Sequence, residues 1–203
     1  FVFIVIINSI NLIDGIDGLA GGYGIIAMTA FLFLSILADI TVAIILCTTI
    51  IGSLTGFLKF NLNNGKRKTF MGDTGSLVVG FLISVVVLII LSSNYERNLF
   101  FSNIPVLVLS ILSFPYIDTL RVMIVRKRMG NKFFEPDKNH IHHKLINSGK
   151  SHVKSSAIIL SVYLSSIIFC LIFQKFDITI HFFISLSYSV ISLLILIFVF
   201  DKK

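Results

Sequence analysis

The sequence predicts an all-α fold, a polytopic bundle of transmembrane helices with six full spans and a partial helix at the N-terminus. Two observations predict it. Hydrophobic residues make up 56% of the 203 residues and charged residues only 13%, which excludes a soluble globular domain, a disordered segment and a disulfide scaffold. Six apolar stretches approach the roughly 20 residues that a helix needs to cross a bilayer. Because lipid offers no partner to unpaired backbone groups, these stretches must be helical.

The elements follow in order along the chain. The first apolar run, residues 1–7, is too short to span a bilayer and lacks the flanks of a signal peptide. We therefore expect it to end a helix that starts before Phe1, in a longer protein. The spans are expected at residues 19–37, 40–58, 76–91, 104–125, 155–173 and 178–200. Short turns and three longer polar segments separate them, and residues 1–203 are expected to form a single membrane-embedded domain.

Basic residues set the expected orientation of these spans. Fourteen Lys and Arg residues fall on one side of the bilayer, in residues 59–68, 126–154 and 202–203, against two on the other side. This positive-inside bias predicts that the long basic loops and the C-terminus are cytoplasmic. Counting spans then places residues 8–18 on the cytoplasmic face as well. Acidic and histidine residues gather on that same face, which favours a site that holds a cation together with phosphates.

The first polar cluster lies where the N-terminal helix ends. Asn8, Asn11 and Asp14 are three residues apart, so their side chains share one face of a helix. Asp17 follows, between two glycines. An equally simple interpretation is that these residues only end one helix and start the next, with Asp17 as the N-cap.

Two further polar clusters lie in the basic loops. Residues 70–76 place Asp73 between glycines at the start of a span, where a helix N-terminus favours a bound anion; the alternative is a simple helix cap. Residues 136–144 contain His140, His142 and His143. A zinc site is one interpretation, but carboxylates and amides dominate the other clusters and suit magnesium better. The histidines are then expected to contact phosphate oxygens or to transfer a proton.

Polar and small residues inside the spans are assigned to packing. Asp118 and Arg121 are three residues apart, and ionisable groups within a membrane tend to pair. We expect an intrahelical ion pair, with a supporting role at the site as the alternative. Gly18 with Gly22, and Gly52 with Gly56, have the spacing of close helix-packing faces.

In this order, the three clusters closely resemble one family of membrane enzymes. The matching residues are Asn8-x-x-Asn11-x-x-Asp14-Gly-x-Asp17-Gly-Leu, then Phe-Met-Gly-Asp73-x-Gly-Ser, then Asp137-x-x-His140-x-His142-His143. They are similar to the motifs of the polyprenyl-phosphate N-acetylhexosamine-1-phosphate transferases. The resemblance covers essentially the whole chain and matches the C-terminal two-thirds of that family.

The resemblance implies a magnesium-dependent phosphoryl transfer, with Mn²⁺ as a substitute metal. A polyprenyl phosphate attacks a UDP-sugar and UMP leaves. Asp73 corresponds to the family's metal ligand, and Asp14, Asp17 and Asp73 to its catalytic acids. Substrate binding is implied for Asn8, Asn11, Asn61, His140, His142 and His143.

The His-x-His-His form resembles the branch that transfers N-acetylglucosamine 1-phosphate to undecaprenyl phosphate, for teichoic acid or lipopolysaccharide synthesis. The alternative is the peptidoglycan branch, which transfers phospho-N-acetylmuramoyl-pentapeptide. An Asp-Asp pair that the family carries in an earlier loop does not occur in this sequence. A non-catalytic fragment or a transporter subunit therefore stays open.

The expected location is the bacterial inner membrane, with several passes and a cytoplasmic active site. The expected partners are the UDP-sugar donor, the polyprenyl phosphate acceptor and membrane lipids, and not nucleic acid; a homodimer is left open.

Overall fold

The computed structural model describes residues 2–63, 65–93, 102–130 and 139–200. This part of the chain is helical and contains no strand. Its elements are α1 (Val2–Ile13), α2 (Leu19–Leu37), α3 (Thr41–Asn61), α4 (Gly72–Ser92), α5 (Ile104–Arg128), α6 (Ile141–Asn147), α7 (His152–Ile172) and α8 (Ile178–Phe200).

Six of these helices are long and apolar enough to cross a membrane, as counted over the described residues: α2, α3, α4, α5, α7 and α8. The predicted fold class is therefore confirmed, and α2 and α8 begin and end at the predicted residues. The short apolar helix α1 extends beyond the predicted run and includes Asn8 and Asn11. Helix α4 begins four residues earlier than expected, so that Asp73 lies in its first turn. Helix α6 was not predicted.

Glycines, rather than side-chain caps, start two of the helices near the first two polar clusters. Gly18 precedes α2 with a φ of 82°, and no side chain caps this helix; the expectation that Asp17 would be its N-cap was wrong. Gly72 starts α4 with a φ of 66°, and neither Asp73 nor Thr74 caps that helix. A left-handed φ costs glycine little because it has no Cβ. These turns leave the nearby acidic side chains available for other contacts.

A proline inside α5 frees a backbone carbonyl that links α5 to two other helices. Pro115 has no N–H, so the carbonyl of Ile111, four residues earlier, loses its helical donor. The hydroxyl of Tyr163 donates to this carbonyl at 2.7 Å, and the hydroxyl of Tyr23 at 3.3 Å. Both tyrosines are fully buried. In an apolar layer without water, these two bonds satisfy a carbonyl that would otherwise be costly to bury.

Helix α1 packs closely against α4 because Gly80 has no side chain. A Cβ at Gly80 would lie 2.8 Å from Cα and 3.3 Å from the carbonyl oxygen of Ile7. Gly52 and Gly56 were also predicted to form a packing face, but among the described residues nothing packs there: both are exposed on α3, and a Cβ at either would meet no atom within 4 Å. Gly22, in contrast, does pack tightly, against Leu160 of α7.

Candidate functional site

The three predicted polar clusters meet at one end of the bundle. We call it the polar end: the end of α1, the starts of α2 and α4, the end of α3, and helix α6 with the start of α7. Contacts between residues distant in sequence hold it together. Asn11 contacts Asp73, Asn61 contacts Gly18, and Asp17 contacts His152. The sequence motifs therefore form a single site in three dimensions.

Asn11 links the first cluster to the second. Its amide nitrogen donates to Ser76 Oγ at 2.8 Å and to Asp73 Oδ1 at 3.3 Å. Asp73 is exposed in the first turn of α4, where the helix N-terminus stabilises a negative charge. Asn11 thus holds the carboxylate that the sequence predicted as a metal ligand. Asn8 lies one turn earlier but is exposed, and its amide donates to Ile4 within its own helix.

Asp14 brings a second carboxyl group to this place. It follows the end of α1 and is half-buried. Burial, and secondarily the negative charge of Asp73, raise the pKa of Asp14 to about 6. A carboxyl group whose charged form is disfavoured by a neighbouring carboxylate marks a place that a cation would stabilise.

These residues fit a magnesium ion. Mg²⁺ commonly uses one or two protein carboxylates and completes its shell with water and substrate phosphates. Asp14 and Asp73 supply such a pair, as the charge effect between them indicates. Within the described residues, no group of three His, Cys, Asp or Glu side chains is arranged to hold a metal.

We expect replacement of Asp14 by Asn to stabilise the metal-free protein at neutral pH. The raised pKa means that the folded state binds more protons than the unfolded state between about pH 4 and 6, so stability falls as pH rises through this range. In EDTA at about pH 8, the thermal midpoint of Asp14→Asn should exceed that of the wild type by about 3 °C. The difference should shrink towards pH 4.

The matched control for this prediction is Asp17→Asn. Asp17 is ion-paired, so its replacement should lower the midpoint at the same pH. A lower midpoint for Asp14→Asn at about pH 8 would contradict the assignment of Asp14 as a destabilised carboxylate.

Asp17 is bound by basic side chains from two other segments. Its Oδ2 accepts from Lys68 Nζ at 2.7 Å and contacts His152 Nδ1 at 3.0 Å, while Ser156 Oγ donates to its backbone carbonyl at 2.7 Å. Asp17 thereby ties the α3–α4 segment and the start of α7 to the first cluster. Sequence reasoning did not identify Lys68 or His152, since a basic loop gives no signal for which cation reaches which acid.

Asn61 is a buried connector at the end of α3. Its side-chain oxygen accepts from the backbone N–H of Gly18 at 2.7 Å, and its amide nitrogen donates to the carbonyl of Thr69 at 2.9 Å. Both ends of the amide are thus used within the protein. Asn61 was predicted to bind substrate, but the structure places it between the start of α2 and the segment that leads to Asp73.

The histidine cluster lies against the first polar cluster, at the start of α6. The rings of His140 and His142 stack with centroids 5.7 Å apart, and those of His142 and His143 are 4.3 Å apart. His142 lies so close to Gly15 that a Cβ there would collide with its ring. Burial, followed by the neighbouring histidines, lowers the pKa of His142 to about 3, so this ring is neutral.

The three histidines differ in exposure. His140 and His142 are buried, and His143 is half-buried. All three were predicted to contact substrate, and the structure leaves His143 as the ring that reaches the surface. Asp137, part of the same motif, lies outside the described residues.

The predicted ion pair within α5 is confirmed. Arg121 Nη2 lies 2.6 Å from Asp118 Oδ1. Asp118 also reaches the histidine cluster, because its Oδ2 lies 2.9 Å from His140 Nδ1.

Comparison with known proteins places these motifs in a family. Residues 1–91 match the model of glycosyl transferase family 4. This match covers the clusters that contain Asn11, Asp14, Asp17 and Asp73 but not the histidine cluster.

Individual relatives extend the similarity further along the chain. A probable undecaprenyl-phosphate N-acetylglucosaminyl 1-phosphate transferase of Bacillus subtilis is 36% identical over 81% of this chain and 43% of the relative. A decaprenyl-phosphate N-acetylglucosaminephosphotransferase of Mycobacterium leprae is 34% identical over 78% of this chain and 42% of the relative. An undecaprenyl-phosphate alpha-N-acetylglucosaminyl 1-phosphate transferase of Escherichia coli K12 is 35% identical over 51% of this chain and 27% of the relative. The chain thus spans less than half the length of the relatives it matches.

Proposed function

The chain belongs to glycosyl transferase family 4, and on that premise we propose that it transfers N-acetylglucosamine 1-phosphate from a UDP-sugar to undecaprenyl phosphate. The observation that carries the proposal is the meeting of Asn11, Asp14 and Asp73 at the polar end of a membrane bundle. That meeting provides a place for a diphosphate and its cation beside the lipid.

The reaction is a phosphoryl transfer. An oxygen of the lipid phosphate forms a bond to the phosphorus that carries the sugar, the bond from this phosphorus to the bridging oxygen breaks, and UMP leaves. Such a transfer depends mainly on in-line positioning and on neutralising charge. A bound Mg²⁺, or Mn²⁺ in its place, would neutralise the diphosphate.

The residues of the chain take distinct parts in this proposal. Asp73 and Asp14 would hold the cation, and Asn11 orients the Asp73 carboxylate through its amide. Asp17 keeps Lys68 near the site, where a cation suits a phosphate substrate. Basic loops at the same end support a cytoplasmic active site in the bacterial inner membrane.

The activities for which the relatives are named favour N-acetylglucosamine as the transferred sugar. The peptidoglycan precursor, UDP-N-acetylmuramoyl-pentapeptide, is the competing donor.

The test is a transfer assay on membranes that contain the product of the complete gene. Labelled UDP-N-acetylglucosamine and undecaprenyl phosphate are supplied, and UMP release and lipid-soluble label are measured with Mg²⁺ and with EDTA. We expect equal amounts of UMP and labelled lipid, and loss of both in EDTA.

Two outcomes would contradict the proposal. Turnover of the muramoyl-pentapeptide donor alone would assign the chain to the peptidoglycan branch. Uptake of solute by proteoliposomes without UMP release would indicate a transporter. Asp39→Asn serves as the control variant, because Asp39 lies in the turn between α2 and α3, away from the polar end, with a φ of 54° that Asn tolerates.

A further inference from the structure

We propose that Asp118 is a positioning residue for the transfer reaction, which acts through His140 to hold helix α6 against the first polar cluster. The expected kinetic effect rests on the proposed function. The contacts by which Asp118 holds α6 do not depend on it. Asp118 lies on α5, outside the three motifs that resemble the family.

The carboxylate of Asp118 collects donors from two segments. Oδ1 accepts from Arg121 Nη2 at 2.6 Å and Nε at 3.2 Å, and Oδ2 lies 2.9 Å from His140 Nδ1. The backbone N–H of Ile141, at the start of α6, points to the same Oδ2 at 3.5 Å. Arg121 Nη2 also donates to the carbonyl of Asn139 at 2.6 Å. Asp118 and Arg121 of α5 therefore bind residues 139–141, at the start of α6.

Because both side chains of this contact are buried, the loss of either one is costly. Asp118 is 0% exposed and His140 is 4% exposed. A buried carboxylate is tolerated only when its charge and lone pairs are satisfied, and removal of one partner leaves an uncompensated group. Since a carboxylate can only accept, His140 must carry a proton on Nδ1. Asp118 thus fixes both the protonation of this nitrogen and the orientation of the ring.

The ring of His140 in turn positions the other histidines of the site. It stacks on His142 with an angle of 11° between the ring planes. His142 in turn fills the space beside Gly15, next to Asp14, and contacts the half-buried His143. Asp118 meets the site at His140 and at the backbone of Ile141. It determines where the histidines lie, relative to the two carboxylates that would hold the cation.

The first experiment measures kinetics of Asp118→Asn in the complete protein. We expect kcat/KM for UDP-N-acetylglucosamine to fall about 100-fold, as for other displacements of about 1 Å near reacting groups. The KM for undecaprenyl phosphate should change less than about twofold, because the lost contact affects only the histidine cluster. If kcat/KM for UDP-N-acetylglucosamine and the KM for undecaprenyl phosphate changed by the same factor, the damage would be general and the inference would be overturned. Asp39→Asn is the control for a carboxylate-to-amide change elsewhere in the bundle.

A double-mutant cycle tests whether Asp118 acts through His140. His140→Asn leaves the Asp118 ion pair with Arg121 in place, so this variant should still fold. If the two residues act as one unit, the double variant should be no slower than the slower single variant. Multiplication of the two single effects would show independent roles and would contradict the inference.

Limited proteolysis gives a measure that does not need activity. Loss of the grip on residues 139–141 should speed tryptic cleavage after Lys144, in α6, about tenfold in both Asp118→Asn and His140→Asn. Cleavage after Lys66, in the α3–α4 segment, should keep its wild-type rate. If both sites were cleaved faster together, Asp118 would support the whole bundle instead. Absence of UMP release by the wild type would defeat the proposed function while leaving this test intact.

Discussion

Replacement of Asp73 by Asn is expected to reduce UMP release by about 10³-fold or more, which corresponds to about 4 kcal/mol in the barrier. Asn has the same shape as Asp and can still accept from the amide of Asn11, so the local fold should persist. The lost negative charge removes one of the two carboxylates that we propose hold the cation. The measurement is the initial rate of UMP release at saturating donor, acceptor and Mg²⁺.

Two comparisons make the Asp73 result specific. The thermal midpoint of Asp73→Asn in EDTA should not fall below that of the wild type, because the change also removes the repulsion of Asp14. Asp39→Asn should retain wild-type turnover. Undiminished UMP release by Asp73→Asn would eliminate the metal assignment of this residue.

Gly80→Ala is expected to have the second largest effect, although Gly80 is not itself a proposed substrate-binding residue. The new Cβ would meet the backbone of Ile7 at 2.8 Å, and backbone cannot rotate away as a side chain can. Helix α1 would have to move off α4, and Asn11 would move away from Asp73 with it. We expect a loss of stability of about 2 kcal/mol, and a fall in UMP release of about 100-fold.

Gly52→Ala is the matched control for Gly80→Ala. Both residues lie inside membrane-spanning helices, but a Cβ at Gly52 meets no atom within 4 Å. Its thermal midpoint should stay the same or rise slightly, since Ala favours the helix. Wild-type midpoint and turnover in Gly80→Ala would show that α1 and α4 can separate without consequence, contrary to the close approach in the structure.

Much of the fold could be predicted from hydropathy because lipid permits few alternatives. Helices α2 and α8 were predicted to the residue, as polar or glycine residues flank both apolar stretches in the sequence. Helix α6 was not predicted because its seven residues are too few to cross a membrane. A signal was nevertheless present, since Ile141 and Leu145 are four residues apart and both are buried.

Only those features of the site that lie within one sequence motif could be predicted. The spacing of Asn11 and Asp14 predicted a shared helix face, but α1 ends at Ile13 and Asp14 lies in the turn that follows. The acid of the second cluster does meet Asn11. One of the two partners of Asp17 is 135 residues away, in α7. Such a contact depends on how helices pack, which no local spacing encodes. The same holds for Asn61, whose amide connects backbone segments that the sequence separates.

The interruption of α5 at Pro115 has a consequence for how the site keeps its geometry. Helices in lipid gain no hydrophobic free energy by touching one another, so hydrogen bonds between them add to van der Waals packing in setting how they associate. The Ile111 carbonyl accepts from tyrosines of α2 and α7, so it fixes the axial and rotational register of three helices at one point. One residue of rotation, about 100°, would carry Tyr163 away from the carbonyl. Helix α2 begins directly after the first cluster, α5 carries Asp118, and α7 begins at His152. The Ile111 carbonyl, which Pro115 leaves without a helical donor and two tyrosines bind, thus acts as a common reference for the three helices that position these residues.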